Sequence, residues 1–206
     1  MSSAVRWNLL GVAVVIALIF ALWPRSAPAP DEPGPSPVAT QGELAAAAAE
    51  AALAPCPAAG APRAAGPLGG LTLSCLGEGP TVNLATALGG KPAVLSLWAW
   101  WCGPCAKELP VVQEFAQRAG SAVTVLTVHS DPNALKALQA LRDIGVHLPA
   151  VQDPQQRVAA LTGAPAAYPV TVLLRADGTV AQVRAVAYSD PQALAADVDQ
   201  WLGVRV

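Results

Sequence analysis

The tetrapeptide Cys102-Gly103-Pro104-Cys105 holds two thiols at a spacing that allows either a dithiol or an intramolecular disulfide. Such a pair can accept or release two electrons by thiol–disulfide exchange. Residues 93–99, just before it, form an apolar run that reads as a strand buried on both faces, and the residues after it read as a helix. Cys102 therefore stands at a helix start, where free backbone N–H groups and the helix dipole stabilise a thiolate. It is the expected exposed nucleophile. Cys105, about one turn inside, is the expected resolving thiol, which releases a partner held on Cys102 as a mixed disulfide.

A C-x-x-C pair can also be half of a zinc site, but zinc needs two further Cys or His ligands, usually a second close pair. Cys56 and Cys75 lie far apart, and His129 and His147 are not spaced as a ligand pair, so no metal is expected. No cofactor is expected either: Gly69-Gly70 and Gly89-Gly90 lack the spacing and the strand–helix context of a dinucleotide loop. Electrons must then arrive from another protein.

The motif in its surroundings resembles the TlpA/ResA family of membrane-tethered, extracytoplasmic thiol–disulfide oxidoreductases. The resemblance is carried by Trp101-Cys102-Gly103-Pro104-Cys105, Glu108 and Pro110, then Tyr168-Pro169-Val170-Thr171 and Ala176-Asp177-Gly178. It implies a thioredoxin-like α/β fold, a central mixed sheet flanked by helices. It also implies a cis-proline at Pro169 facing the redox motif, where the neighbouring backbone receives the substrate chain as an added strand. Without the redox motif, Pro169 reads as an ordinary proline opening an edge strand.

The same resemblance places a carboxylate at Glu108, near the thiols, where it affects their protonation. If buried, it has a raised pKa and can exchange a proton with Cys105; otherwise it is a solvated helix-surface residue beside Lys107. Ser96 departs from thioredoxin, which carries a buried Asp at that place, and this makes Glu108 the substitute proton carrier. Trp101, Gly103, Pro104 and Tyr168 are the expected substrate contacts.

The implied task is reduction of disulfides in envelope proteins, apocytochrome c among them, with the Cys102/Cys105 pair reduced in turn by a membrane carrier of the CcdA type. Gly103-Pro104 is also the dipeptide of thioredoxin, whose potential is about −270 mV against about −120 mV for DsbA. Three alternatives stay open: a DsbA-like dithiol oxidase, a metal-handling module using the C-x-x-C pair, and a structural envelope protein with an inert disulfide.

The rest of the chain bears on where this chemistry takes place. The formal charge is −2 and no basic stripe exists, which excludes nucleic acid as a partner. Residues 9–23 contain no charge and lie between Trp7 and Trp23, as in a spanning helix with interfacial aromatics. A cleaved signal peptide ending at Ala27-Pro28-Ala29 competes, but Pro30 would follow the cut. The expected organisation is a single-pass signal anchor (residues 1–23), a Pro-rich linker (24–43), an Ala-rich helix and loop tied to the domain (44–70), and the thioredoxin-like domain (71–206). The catalytic domain is expected outside the cell membrane and to act as a monomer.

Cys56 and Cys75, outside the motif, suit an oxidising compartment. They read as a structural disulfide pinning the segment before the domain to its first strand, with a second relay pair or two free thiols as alternatives. Closing a loop of this length gives about 3 kcal/mol in the chain-entropy picture.

Strands are expected at 93–99, 122–128, 170–174 and 179–186, the last after a turn at Asp177-Gly178, with strand or loop structure at 71–84. Asp131-Pro132, Asp153-Pro154 and Asp190-Pro191 each read as an N-cap followed by a first-turn proline, and Gly145, Gly163 and Gly203 as helix ends. Leu194, Val198, Trp201 and Leu202 make the docking face of the last helix. Trp98 and Trp100 are expected in the core and Trp101 over the redox motif. Pro110 is expected to kink its helix, His129 to serve a loop or cap, and His147 to be structural or superficial.

Overall fold

Strand β3 (Ala93–Trp98) is apolar at almost every position and is buried throughout, which puts it at the centre of the sheet. The computed structural model describes residues 39–58, 66–77 and 81–206, with Ile16 and Leu18 as isolated helical positions. The expected anchor and most of the expected linker fall outside the described residues. Among the described residues no helix is long and apolar enough to cross a membrane. The chain divides into Met1–Val38 and Ala39–Val206, and the second unit contains every strand found among the described residues, together with the C-x-x-C motif.

Seven strands form one mixed sheet in the order β2-β1-β5-β4-β3-β6-β7. They are β1 (Thr72–Cys75), β2 (Thr81–Asn83), β3, β4 (Thr124–His129), β5 (Ala150–Gln152), β6 (Val170–Leu174) and β7 (Val180–Arg184). β3, β4 and β5 run parallel, while β6 pairs antiparallel with β3, and β1 antiparallel with β5. The helices are α1 (Gln41–Ala51), α2 (Leu84–Ala87), α3 (Gly103–Ala119), α4 (Ala134–Asp143), α5 (Arg157–Thr162) and α6 (Pro191–Leu202). β5 and α2 go beyond the expected elements; three residues of Ala-Val-Gln are too few to show a period.

The sheet separates two apolar clusters. One lies under α3, α4 and α6 and includes Val94, Trp98, Cys105, Leu109, Phe115, Leu138 and Leu194. The other covers the opposite face with Leu95, Leu97, Leu126, Val151 and Val172. Leu194 and Val198 dock α6 as expected, with Trp201 and Leu202 only partly buried at its end. β6 and β7 form the expected hairpin, its turn closed by Gly178 at φ +83°, a conformation that favours glycine.

α1 begins three residues inside the expected linker because Thr40 starts a capping box. Its hydroxyl accepts the Glu43 N–H at 3.2 Å, and the Glu43 carboxylate accepts the Thr40 N–H at 2.7 Å. The helix is packed: Ala47, Ala48 and Ala51 are buried, and their small side chains let it approach α4 closely. His147 secures it, its Nδ1 donating to the Ala51 carbonyl at 2.9 Å and its own carbonyl accepting the Ala54 N–H at 2.7 Å. Cys56 and Cys75 are bonded, tying the segment after α1 to β1.

Two of the three Asp-Pro pairs do not start helices as expected. Asp190 does: it accepts the Gln192 N–H with Pro191 at the first helical position. Asp131 is instead occupied by indole donors, and Asn133 caps α4 by accepting the Lys136 N–H. Asp153 is buried and caps α5 from upstream, accepting the N–H groups of Arg157 at 3.1 Å and Val158 at 2.8 Å, while Gln156 stands at the N-cap. Gly163 and Gly203 are left-handed C-caps, and Gly145 follows the end of α4.

Candidate redox site

The site forms where β3 ends and α3 begins. Cys102 is the N-cap of α3, Gly103 and Pro104 open the helix, and Cys105 lies in its first turn. The two sulfurs are bonded, with Cα atoms 5.2 Å apart. Sγ of Cys102 accepts the backbone N–H of Cys105 at 3.2 Å. A capping sulfur so placed becomes a better thiolate when the bond is reduced, since the free amides and dipole of α3 favour negative charge there.

Cys102 was expected to be exposed, but it is only 6% exposed, and Cys105 is fully buried. The bond to a buried partner draws the Cys102 sulfur inward. The order of accessibility is retained, and Trp101, Gly103 and Pro104 around it are exposed. A Cβ on Gly103 would meet only open space, so nothing in the fold obstructs an approaching chain at that position.

The Tyr168-Pro169 bond is cis, immediately before β6, whose residues 170–174 pair with β3. Trp101 and Tyr168 meet edge to face, ring centres 6.1 Å apart. The tryptophans divide by function. Trp98, at the end of β3, is buried and packs against His129, centroids 4.8 Å apart. Trp100 is 38% exposed rather than in the core, because it lies past the strand end, where pleat alternation no longer applies.

Asp131 organises the exposed aromatics. Oδ1 accepts the Trp100 indole N–H and Oδ2 that of Trp101, both at 3.0 Å, and Oδ1 also accepts the Asn133 N–H at 2.8 Å. Burial acts to raise this carboxyl, but the Asn133 amide, the two indoles and His129 together hold it below its ordinary value. The Lys136 ammonium lies 5.9 Å from the Trp100 ring centre, a weak cation–π contact. Sequence reading missed Asp131 here; its place just beyond the end of β4, beside the strand that carries the motif, was the available signal.

Glu108 is not on the solvated face of α3. It is 1% exposed, and burial raises its carboxyl to about 7 against the opposing pull of the Tyr188 N–H, which it accepts at Oε1 at 3.0 Å. Ser96 and Thr171 are register partners on β3 and β6, and both are fully buried. Alternation with Val94 and Trp98 puts Ser96 on the face that α3 covers. Pro110 lies inside α3, which continues through it to Ala119.

His129 serves neither loop nor cap. It ends β4, is fully buried, and its Nδ1 bonds the Gln152 side chain at 2.8 Å. Burial lowers its pKa, opposed by Gln152 and Asp131. Beside the motif, a shallow groove of about 550 Å³ runs between Gly103, Pro104 and Lys107 on α3 and the loop carrying Ala187 and Tyr188.

The chain is 36% identical over 103 residues to the thiol:disulfide interchange protein DsbE of Xylella fastidiosa, covering 49% of this chain and 51% of the relative. It is 26% identical over 106 residues to the thiol-disulfide oxidoreductase ResA of Bacillus thuringiensis, covering 51% and 60%. Among solved structures, a DsbF homologue from Corynebacterium diphtheriae matches with a TM-score of 0.57 and 28% identity, over 65% of this chain and 85% of that one. The chain spans about half the length of the curated relatives it matches. The thioredoxin-like fold and the resemblance to the TlpA/ResA family are borne out by these similarities. Residues 57–199, which contain the motif, the cis-proline and all but the last turn of α6, match the Redoxin family, and the chain belongs to that family.

Proposed function

We propose that the chain is a thiol–disulfide oxidoreductase that reduces disulfides in extracytoplasmic proteins through Cys102 and Cys105. The observation that carries this reading is the Cys102–Cys105 disulfide at the start of α3, with an exposed Trp101 meeting the residue before a cis-proline. In the reduced protein, the Cys102 thiolate attacks one sulfur of a partner disulfide. An intermolecular bond forms, and the partner's second sulfur leaves as a thiolate and takes up a proton. Cys105 then gives its proton to Glu108 and attacks Sγ of Cys102. The intermolecular bond breaks, the Cys102–Cys105 bond forms, and the partner's first sulfur leaves and is protonated. Two electrons pass to the partner, and the chain ends oxidised.

Glu108 suits the acceptor role because a carboxyl raised to about 7 is close to balance at neutral pH, so it can take up a proton and return it in the next cycle. Trp101, Tyr168, Gly103 and Pro104 receive the partner chain, and Cys56–Cys75 serves structure. An electron donor of the CcdA type and apocytochrome c as a substrate rest on the TlpA/ResA resemblance carried by the motif residues. The second disulfide supports an oxidising compartment. Single-pass anchoring of the domain outside the membrane rests on the uncharged run at residues 9–23.

Trapping partners on Cys105→Ser tests the reading. This variant retains Cys102 but cannot resolve, so envelope proteins should be recovered as mixed disulfides that reducing agent releases. Failure to capture any thiol partner, together with no insulin reduction by the native chain, would overturn it. The direction of transfer is read from the potential against glutathione: a value above about −150 mV would assign an oxidase instead.

A further inference from the structure

Among the described residues, one hydrogen bond from protein reaches the Glu108 carboxyl, and it comes from a loop. The Tyr188 N–H donates to Oε1 at 3.0 Å, while Oε2 has no partner. Residues 185–190, between β7 and α6, lack regular structure, so no ladder or helix fixes that amide. Its own side chain does. The Tyr188 hydroxyl donates to Oδ2 of Asp197 on α6 at 2.5 Å, and Nε of Arg184 on β7 donates to the same oxygen at 2.9 Å. One carboxylate oxygen thus ties strand, loop and helix together behind the amide that holds Glu108.

We propose that Tyr188 is a positioning residue for the redox pair: anchored on Asp197, it fixes the backbone N–H that sets how readily Glu108 exchanges its proton. The inference rests on Glu108 being the proton acceptor for Cys105. The groups around that carboxyl make the amide decisive. Cys102 and Cys105 share its helix, Ser96 and Thr171 on the sheet below are neutral, and Lys107 on α3 is exposed. From β7 and α6 come Arg184 and Asp197, opposite charges paired with each other at the tyrosine hydroxyl. Arg184 and Asp197 thus offset each other on the Tyr188 side, Asp190 is exposed at the α6 N-cap where it accepts the Gln192 N–H, and the oriented Tyr188 N–H is the group there that favours the ionised carboxyl. If the hydroxyl loses its anchor, the amide swings and the neutral carboxylic acid gains.

The experiment uses the reduced full-length chain. Cys102 is loaded with 5-thio-2-nitrobenzoate, and release of the chromophore by Cys105 is followed by stopped flow as a function of pH. Tyr188→Phe keeps the ring and removes the anchor, and Asp197→Ala removes the acceptor from the other side. Tyr188→Phe should move the midpoint of the release profile upward by about half a pH unit, with about twofold slower release near neutrality, and Asp197→Ala should move it upward by less, because it also frees the Arg184 cation. The double variant should move it no further than Asp197→Ala alone, because Tyr188→Phe breaks only a bond that Asp197→Ala already breaks. An unmoved or lowered midpoint in a folded variant, or additive shifts, would overturn the proposal, and if one variant does not fold the other decides. Glu108→Gln separates the two readings. If it leaves the native profile unchanged, Glu108 is not the acceptor; if it abolishes the midpoint while Tyr188→Phe and Asp197→Ala do not move it, only the positioning role fails.

Discussion

The indole N–H of Trp101 donates to Oδ2 of Asp131 at 3.0 Å, joining an exposed aromatic beside the reactive cysteine to a residue 30 positions later in the chain. Trp101 is 57% exposed, yet its ring is held at both ends, by this bond and by the edge of Tyr168. A large aromatic fixed before a partner arrives loses little freedom on binding, and this favours association. Asp131→Ala should therefore raise KM for a disulfide protein several-fold while leaving the reactivity of Cys102 toward small alkylating agents unaltered. It also removes three hydrogen bonds, but the two indole donors are exposed and can turn to water, so stability should fall by about 1 kcal/mol or less. Insulin-reduction kinetics and urea denaturation on one preparation read both effects.

Glu108→Gln should separate the two half-reactions. Formation of the mixed disulfide by Cys102 needs no proton acceptor at this position, so the rate of the first attack should be nearly unchanged. Resolution by Cys105 should slow by about 10²-fold at neutral pH, the ordinary effect of removing a general base. Accumulation of the mixed disulfide on quenched gels measures the difference. Equal slowing of both steps would count against the assignment of Glu108 to Cys105.

How much of this was legible beforehand depended on how far apart the interacting residues lie. The C-x-x-C chemistry and its place at a helix start are local, and both could be read from residues 93–110. The burial of Glu108 comes from the Tyr188 loop, 80 residues later, and nothing near Glu108 in the sequence reports it. Asp131 and Asp153 mislead for a related reason: Asp-Pro is a true helix-start signal at Asp190, but elsewhere the carboxylate found stronger or more distant donors. His129 read as a loop residue because it precedes Ser130-Asp131, whereas pairing of β4 with both β3 and β5 carries the strand through it.

Cys56→Ser and Cys75→Ser should each destabilise the protein without touching the exchange chemistry. The bond spans 19 positions, and its loss is worth about 3 kcal/mol in the chain-entropy estimate. The residues freed first should be those of α1, leaving the His147 bonds, the Glu50–Arg142 pair and the packing of Ala47, Ala48 and Ala51 to hold it. Thermal denaturation without reductant should show the lower midpoint, and amide exchange should place the early opening at residues 41–54. Loss of insulin reduction in a variant still folded at the assay temperature would instead make the pair part of the electron path.

The pH dependence of stability in the oxidised protein should hide two opposing contributions. Glu108 has a folded pKa raised from 4.5 to about 7, so its contribution is full below 4.5 and is lost as pH rises through 7, about 3 kcal/mol in all. His129 is lowered by burial from 6.5, so its contribution is full above 6.5 and is lost as pH falls toward the folded value. In the window just below 6.5 the slopes have opposite signs, and each group masks part of the other's effect. Glu108→Gln should uncover stability that rises with pH in this window and an oxidised form more stable than native above pH 7. His129→Gln should uncover the reverse slope, whatever constant loss the substitution brings. Urea denaturation at half-unit pH steps measures both, and a native curve that keeps its shape in either variant would show that the group replaced does not titrate differently on folding.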